Sequence, residues 1–102
     1  NIDSSTYATC FFTRIGNVVS VWGSIEINPT LFASTATQVG ISLPVASNIA
    51  DARGVAGTSN SDNLDQPGVI KGDSTLDIGV IRFPAVNSGN FVHYFSFGYK
   101  IV

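Results

Sequence analysis

Apolar and polar residues alternate with a period of two along most of this chain, and the alternation is broken at short intervals by Gly, Pro and Asn. A period of two belongs to a β-strand, whose successive side chains point to opposite faces. The pattern predicts seven strands, at 7–15, 18–28, 37–43, 53–59, 69–71, 76–83 and 90–102. Gly16-Asn17 separates the first two as the turn of a β-hairpin. Asn28-Pro29, Pro44, the polar stretch 60–68, Gly72-Asp73-Ser74 and Pro84 end the others. Gly23 marks a bulge or a close backbone approach in the second strand. Leu31 and Phe32 are expected to tuck under the sheet, followed by one short helical turn at 33–36. No stretch has the three-to-four spacing of a sustained amphipathic helix. Seven short strands in 102 residues predict an all-β fold, a small antiparallel β-sandwich of jelly-roll type with seven to eight strands.

The last run is the most apolar, and the other strands are expected to close around it. Phe91, His93, Phe95, Phe97, Tyr99 and Ile101 share its core face. Several strands also carry large apolar residues on the face opposite their expected core. These are Phe12 in the first, Val18 and Trp22 in the second, Ile81 and Phe83 in the sixth, and Val92, Tyr94 and Val102 in the last. A free antiparallel sandwich is polar on its outer faces, and a large apolar patch on a small domain marks an interface. A homo-oligomer is therefore expected, with Phe12, Trp22, Phe83, Val92, Tyr94 and Val102 as interface candidates.

Composition narrows the picture. Charged residues make up 12% of the chain, about half the usual share. Ser, Thr and Asn, at 12, 8 and 8, take their place, a surface common in extracellular and virion β-proteins. The net charge of −2 and five scattered basic residues exclude the basic footprint of a nucleic-acid binder. Cys10 is alone, so there is no intrachain disulfide; it reads as a small buried hydrophobe. No run approaches the ~20 apolar residues of a membrane helix. The chain has no Met, which is expected of a processed product or a piece of a longer chain. Residues 1–5 read as a linker, and 6–102 as a single domain.

Catalytic chemistry finds no foothold. His93, the one histidine, lies on an aromatic face and reads as a packing residue, and His93 and Cys10 are too few for a metal site. Asp62-Asn63-Leu64-Asp65 lacks the Gly and closing Glu of a calcium loop. Lys71-Gly72-Asp73 reads as a turn, and the glycines form no phosphate cradle. No enzyme activity, cofactor or metal is expected. Binding falls to the loops 44–53, 59–68 and 84–90 and to an exposed aromatic on which a sugar ring would stack. The candidate residues are Trp22, Asp51, Arg53, Asp62, Asn63 and Asp65.

Three phrases carry a resemblance. Arg14-Ile-Gly-Asn-Val-Val19 opens the hairpin within the run 12–29, Leu43-Pro44 ends a strand within the run 40–48, and Tyr94-Phe-Ser-Phe-Gly-Tyr-Lys-Ile-Val102 is the aromatic closing run. The chain thereby resembles the small C-terminal β-domains of phage and viral structural proteins over most of its length. The resemblance implies the head of a virion fibre or spike, homotrimeric and following a slender stalk. Its partners would be other virion proteins and a host-surface receptor, possibly a glycan. No heptad or repeat stalk occurs in this chain, so the trimer rests on the resemblance alone. Two alternatives stay open: a non-adhesive capsid decoration or trimerisation domain, and a carbohydrate-binding module of a cellular protein.

Overall fold

A computed structural model describes residues 1–31, 33–62, 67–86 and 89–102, with the backbone alone at 3–4 and 6–9. The alternating runs pair into one antiparallel sheet of seven strands: β1 (Ile2–Ile15), β2 (Val18–Pro29), β3 (Thr35–Ser42), β4 (Val55–Ser61), β5 (Pro67–Asp73), β6 (Ile78–Ala85) and β7 (Phe91–Lys100). Their order across the sheet is β1-β2-β7-β4-β5-β6-β3. Three pairings are nested, β4 with β5 inside β3 with β6 inside β2 with β7. This is the pairing of a long ribbon rolled up on itself, and it gives the fold its jelly-roll character. The only helical element among the described residues is a 3₁₀ turn, Ala52–Gly54.

The sheet curls so that one face becomes the core. Val19, Val21, Ile25 and Ile27 of β2 meet Val39 and Ile41 of β3, Ile70, Ile81, and Phe95, Phe97 and Tyr99 of β7. Burying each of these side chains stabilises the fold by about 1.5–3 kcal/mol. The two edges approach each other, and Asn1 ties them. Its Nδ2 donates to Thr37 Oγ1 (3.0 Å) and to the Leu31 carbonyl (2.6 Å), and its Oδ1 accepts from the Leu31 N–H (2.7 Å). Gly57 lies opposite Phe97; a Cβ there would run into the Ser96 carbonyl and Phe97, so only glycine lets β4 lie against β7.

One end of the barrel is closed by the long connection between β3 and β4. The Tyr99 hydroxyl donates to the Val45 carbonyl (2.6 Å) and accepts from the Val45 N–H (2.9 Å). Ser47 Oγ donates to the Lys100 carbonyl and accepts from the Val102 N–H, both at 3.0 Å. Asp77 Oδ1 accepts from the Ile49 N–H (2.9 Å), and Ile49 is buried beneath.

Several sequence expectations are corrected. Residues 2–5, read as linker, are strand, with Ile2 opposite Pro29 and Ser5 opposite Ile27. Polar Ser and Thr hid them, because a ladder partner and not a hydrophobic pattern makes them strand. The irregularity expected at Gly23 lies across the ladder in β1, between Tyr7 and Thr9. That extra residue reverses the facing of everything after it, so Phe11 and Ile15 turn outward and Phe12, opposite Val21, falls on the concave side. In β6 the faces are the reverse of those expected, with Ile81 and Phe83 buried. Both faces are apolar there, and the register with Ile70 and Val39 decides between them. Leu76 lies in a turn and Arg53 in the 3₁₀ turn. Ser34, expected in a helical turn, has a φ of 58°; Leu31 is exposed, and Phe32 lies outside the described residues. At the hairpin, Gly16 alone takes a positive φ (60°), as at the first central position of a II′ turn.

Tyr99→Phe removes both bonds to Val45 without changing the ring. It is expected to lower unfolding stability by about 1–3 kcal/mol, read as a reduced urea midpoint at unchanged slope.

Candidate functional site

The convex face of β1, β2 and β7 carries a strip of exposed apolar side chains. Ile15 lies opposite Val18, Phe11 opposite Trp22, and Tyr94 opposite Ser24. Phe11 and Trp22 stack, with ring centroids 6.0 Å apart and planes inclined by 27°. Trp22 is 43% exposed, Tyr94 55% and Ile15 81%. Trp22 stands above its surroundings because its neighbours toward β4 are small. On that side lies a hollow of about 300 Å³ walled by Ser20, Thr58 and Ser96 and floored by Gly57 and Gly98. On the other side Phe11, Trp22, Ser24 and Tyr94 line a second hollow, of about 360 Å³. Among the described residues no charged side chain lines either one. Such a surface presents flat apolar rings and hydroxyl groups, which fit another apolar protein face or the C–H face of a sugar.

The expected binding residues do not converge. Asp51 and Arg53 sit at the barrel end closed by Tyr99, bound to each other. Asp51 Oδ1 accepts from the Arg53 N–H (2.8 Å), and Oδ2 takes the Arg53 guanidinium (2.9 Å). The Arg53 hydrogen bond holds the Asp51 carboxyl below its ordinary range. Asp62 is at the opposite end, where its N–H donates to the Val92 carbonyl and its Oδ1 accepts from the Val92 N–H. Asn63 and Asp65 lie outside the described residues. Trp22 lies on the sheet face between these ends. Much of 59–68, expected as loop, is strand, β4 running to Ser61 and β5 starting at Pro67.

Of the interface candidates, Trp22 and Tyr94 line one hollow, Phe12 is exposed at the concave rim, and Val102 is 76% exposed at the chain's end. Phe83 is a correction: at 3% exposure it belongs to the core, where it packs on His93 with ring centroids 4.3 Å apart. Val92 is half-buried, its backbone held by Asp62. Sequence reasoning missed Phe11 and Ile15 on the outer strip, because the bulge that turns them outward leaves no mark in the pattern. It also read the basic residues as scattered, whereas the ladder of β5 and β6 brings Lys71 and Arg82 to diagonal positions on one face.

His93 is 3% exposed, and its Nδ1 makes no hydrogen bond among the described residues. Burial pushes its pKa below the ordinary imidazole value, with the Asp62 carboxylate pulling weakly the other way. A neutral imidazole sealed between Phe83 and the ladder is packing, not a surface base. Among the described residues no three His, Cys, Asp or Glu side chains group as a metal site. No protein-family model, curated protein or solved structure matches the chain.

Because the folded pKa of His93 is lowered, folding is unaffected by this group above the unfolded value of about 6.5 and weakened below it, where the unfolded chain takes the proton first. The urea midpoint is expected to fall between pH 7.5 and pH 5, and to fall less in His93→Gln. An equal fall in both proteins would assign the dependence elsewhere.

Proposed function

We propose that this chain is the oligomeric head domain of a virion fibre or spike, and that it attaches to a host surface by multivalent contact. The observation that carries the reading is the strip of exposed apolar side chains on the convex face. With about 150–250 Å² for a whole aromatic side chain, Phe11, Trp22, Tyr94, Ile15 and Val18 together expose on the order of 500 Å². That is near the top of what a free monomer carries, roughly 300–600 Å². It is more than half of the ~800 Å² that each partner gives to a standard interface. A second copy of the chain is the occupant that such a strip fits best. The likeness of the hairpin and closing-strand phrases to viral β-domains and the rolled ribbon point the same way. Assembly would convert a weak single-site contact into strong attachment, since the second and third contacts become intramolecular.

A specific observation favours a second reading. Trp22 rises between two uncharged hollows, one of them hydroxyl-walled, an arrangement suited to a neutral sugar ring. In that case the strip would stay open, as in a carbohydrate-binding module. A decoration or trimerisation domain would cover the strip in the same way as a head and bind no host.

Light scattering separates the covered strip of a head or decoration domain from the open strip of a sugar platform, and host attachment then separates head from decoration. The parent chain is expected at three times its 10.7 kDa, and Phe11→Ser with Trp22→Ser at the monomer mass, still folded by circular dichroism. A parent monomer at micromolar concentration sinks the head reading. Trp22, the one tryptophan, reports the covering directly. Acrylamide is expected to quench it weakly in the parent and strongly in Phe11→Ser, whereas an open sugar platform is quenched strongly in both.

A further inference from the structure

The other half of the sheet carries a different convex surface. Arg82 on β6 lies opposite Val69 on β5 and opposite Gln38 on β3, and Lys71 lies opposite Val80. Lys71 and Arg82 are therefore diagonal neighbours on one face, ~7–8 Å apart at the backbone end and within reach of each other's ligands. Both are exposed. Both line a hollow of about 450 Å³ whose remaining wall is largely apolar, from Ala36, Pro67, Val69 and Pro84. They also line an adjoining hollow of about 350 Å³ with Gln38 and Asp73.

Neither cation has an ion pair or hydrogen bond among the described residues; the one ion pair there is Arg53 with Asp51. Among the described residues Asp73 is the only acid that lines either hollow. Its Oδ1 is engaged by the N–H groups of Thr75 and Leu76, and it does not reach the larger hollow. The fold thus sets two like charges on diagonal positions of one sheet face and, among the described residues, supplies no carboxylate to offset their mutual repulsion. A bound anion would relieve it.

We infer that the larger hollow binds an acidic sugar, a pyranose carrying one carboxylate or sulfate. The planar guanidinium of Arg82 offers a bidentate grip on either anion, and Lys71 adds a second point charge. Pro67, Val69 and Pro84 give an apolar wall for the C–H face of the ring. The volume falls within the range of small-ligand sites. Two cations on a chain of net charge −2 do not make the extended basic track that a nucleic-acid backbone needs. The hollow lies on β3, β5 and β6, away from the strip on β1, β2 and β7, and so stays open when copies assemble through that strip. As a receptor contact the inference rests on the head-domain reading, for which it names the ligand.

The test is calorimetric titration of the whole chain with sialyllactose, a sulfated disaccharide, unmodified lactose and inorganic sulfate. At least one acidic sugar is expected to bind at least about tenfold more tightly than lactose or sulfate, and less tightly as salt rises. The member that binds identifies the acid group. Arg82→Ala and Lys71→Ala are each expected to lose about tenfold or more, as removal of a charge-assisted contact does. Lys71→Arg should retain binding, and Lys100→Ala should match the parent. Thermal midpoints of all variants should stay with the parent, since these side chains are exposed. Lactose binding as well as the acidic sugars, variants binding as well as the parent, or an oligonucleotide or anionic vesicle displacing the sugar would each overturn the inference. Mass and host attachment are read in parallel. A trimer that attaches but binds no acidic sugar sinks this inference alone. A monomer that attaches to nothing, yet binds the sugar through both cations, sinks only the head reading.

Discussion

Strand β7 makes hydrogen-bonded ladders on both sides, with β2 and with β4. Among the described residues no other strand joins the β1–β2 hairpin to the sheet of β4, β5, β6 and β3. Its inward row of Phe95, Phe97 and Tyr99 stacks ring on ring at 6.1 and 6.3 Å, and the apolar residues of β2, β3, β5 and β6 pack around that row. The same strand reaches the barrel end, where the Tyr99 hydroxyl and the Lys100 carbonyl hold the connection that closes it. The ladders of β7 with β2 and β4 are non-local throughout, so β7 must dock before the core is complete. Such long-range closure is slow relative to local structure.

The convex face divides where β7 meets β4. On the β1–β2–β7 side small residues leave Trp22 standing above the sheet, with Phe11 stacked on it and no charged side chain among the described residues lining the hollow beside it. On the β5–β6–β3 side two cations stand beside an apolar wall, without an acid partner among the described residues. The two surfaces differ in chemistry, exposed apolar rings on one side and exposed cations on the other. A domain of this size has few means of building a deep pocket, because its single core uses the whole concave face. Function is left to the convex face and the ends.

Much of the fold is legible in the residues. Each of the seven expected strands overlaps an observed one, although β1 begins five residues earlier and β4 and β6 are shifted by two; β7 shows its core face outright, since Phe91, Phe95 and Phe97 alternate with Tyr94, Ser96 and Gly98. The site is less legible. Trp22 and Tyr94 stand out as large aromatics opposite a core face, but Phe11 does not, because the bulge near Tyr7 reverses the strand's facing without altering its composition. Phe83 reads equally well inward or outward, and only the pairing of β6 with β3 and β5 settles it. Asp51, Arg53 and Asp62 look like one polar set along the chain and prove to be at opposite ends of the barrel.

What the sequence alone determined is the local part: strand identity, turn positions and the face of any strand that is apolar on one side only. These follow from backbone geometry and side-chain period over a few residues. Only the tertiary structure decided the order of strands, the facing of β1 and β6, and the meeting of Lys71 with Arg82. Each of these depends on register between segments distant in the chain. A one-residue change of register exchanges the faces of a strand while leaving its own sequence unchanged.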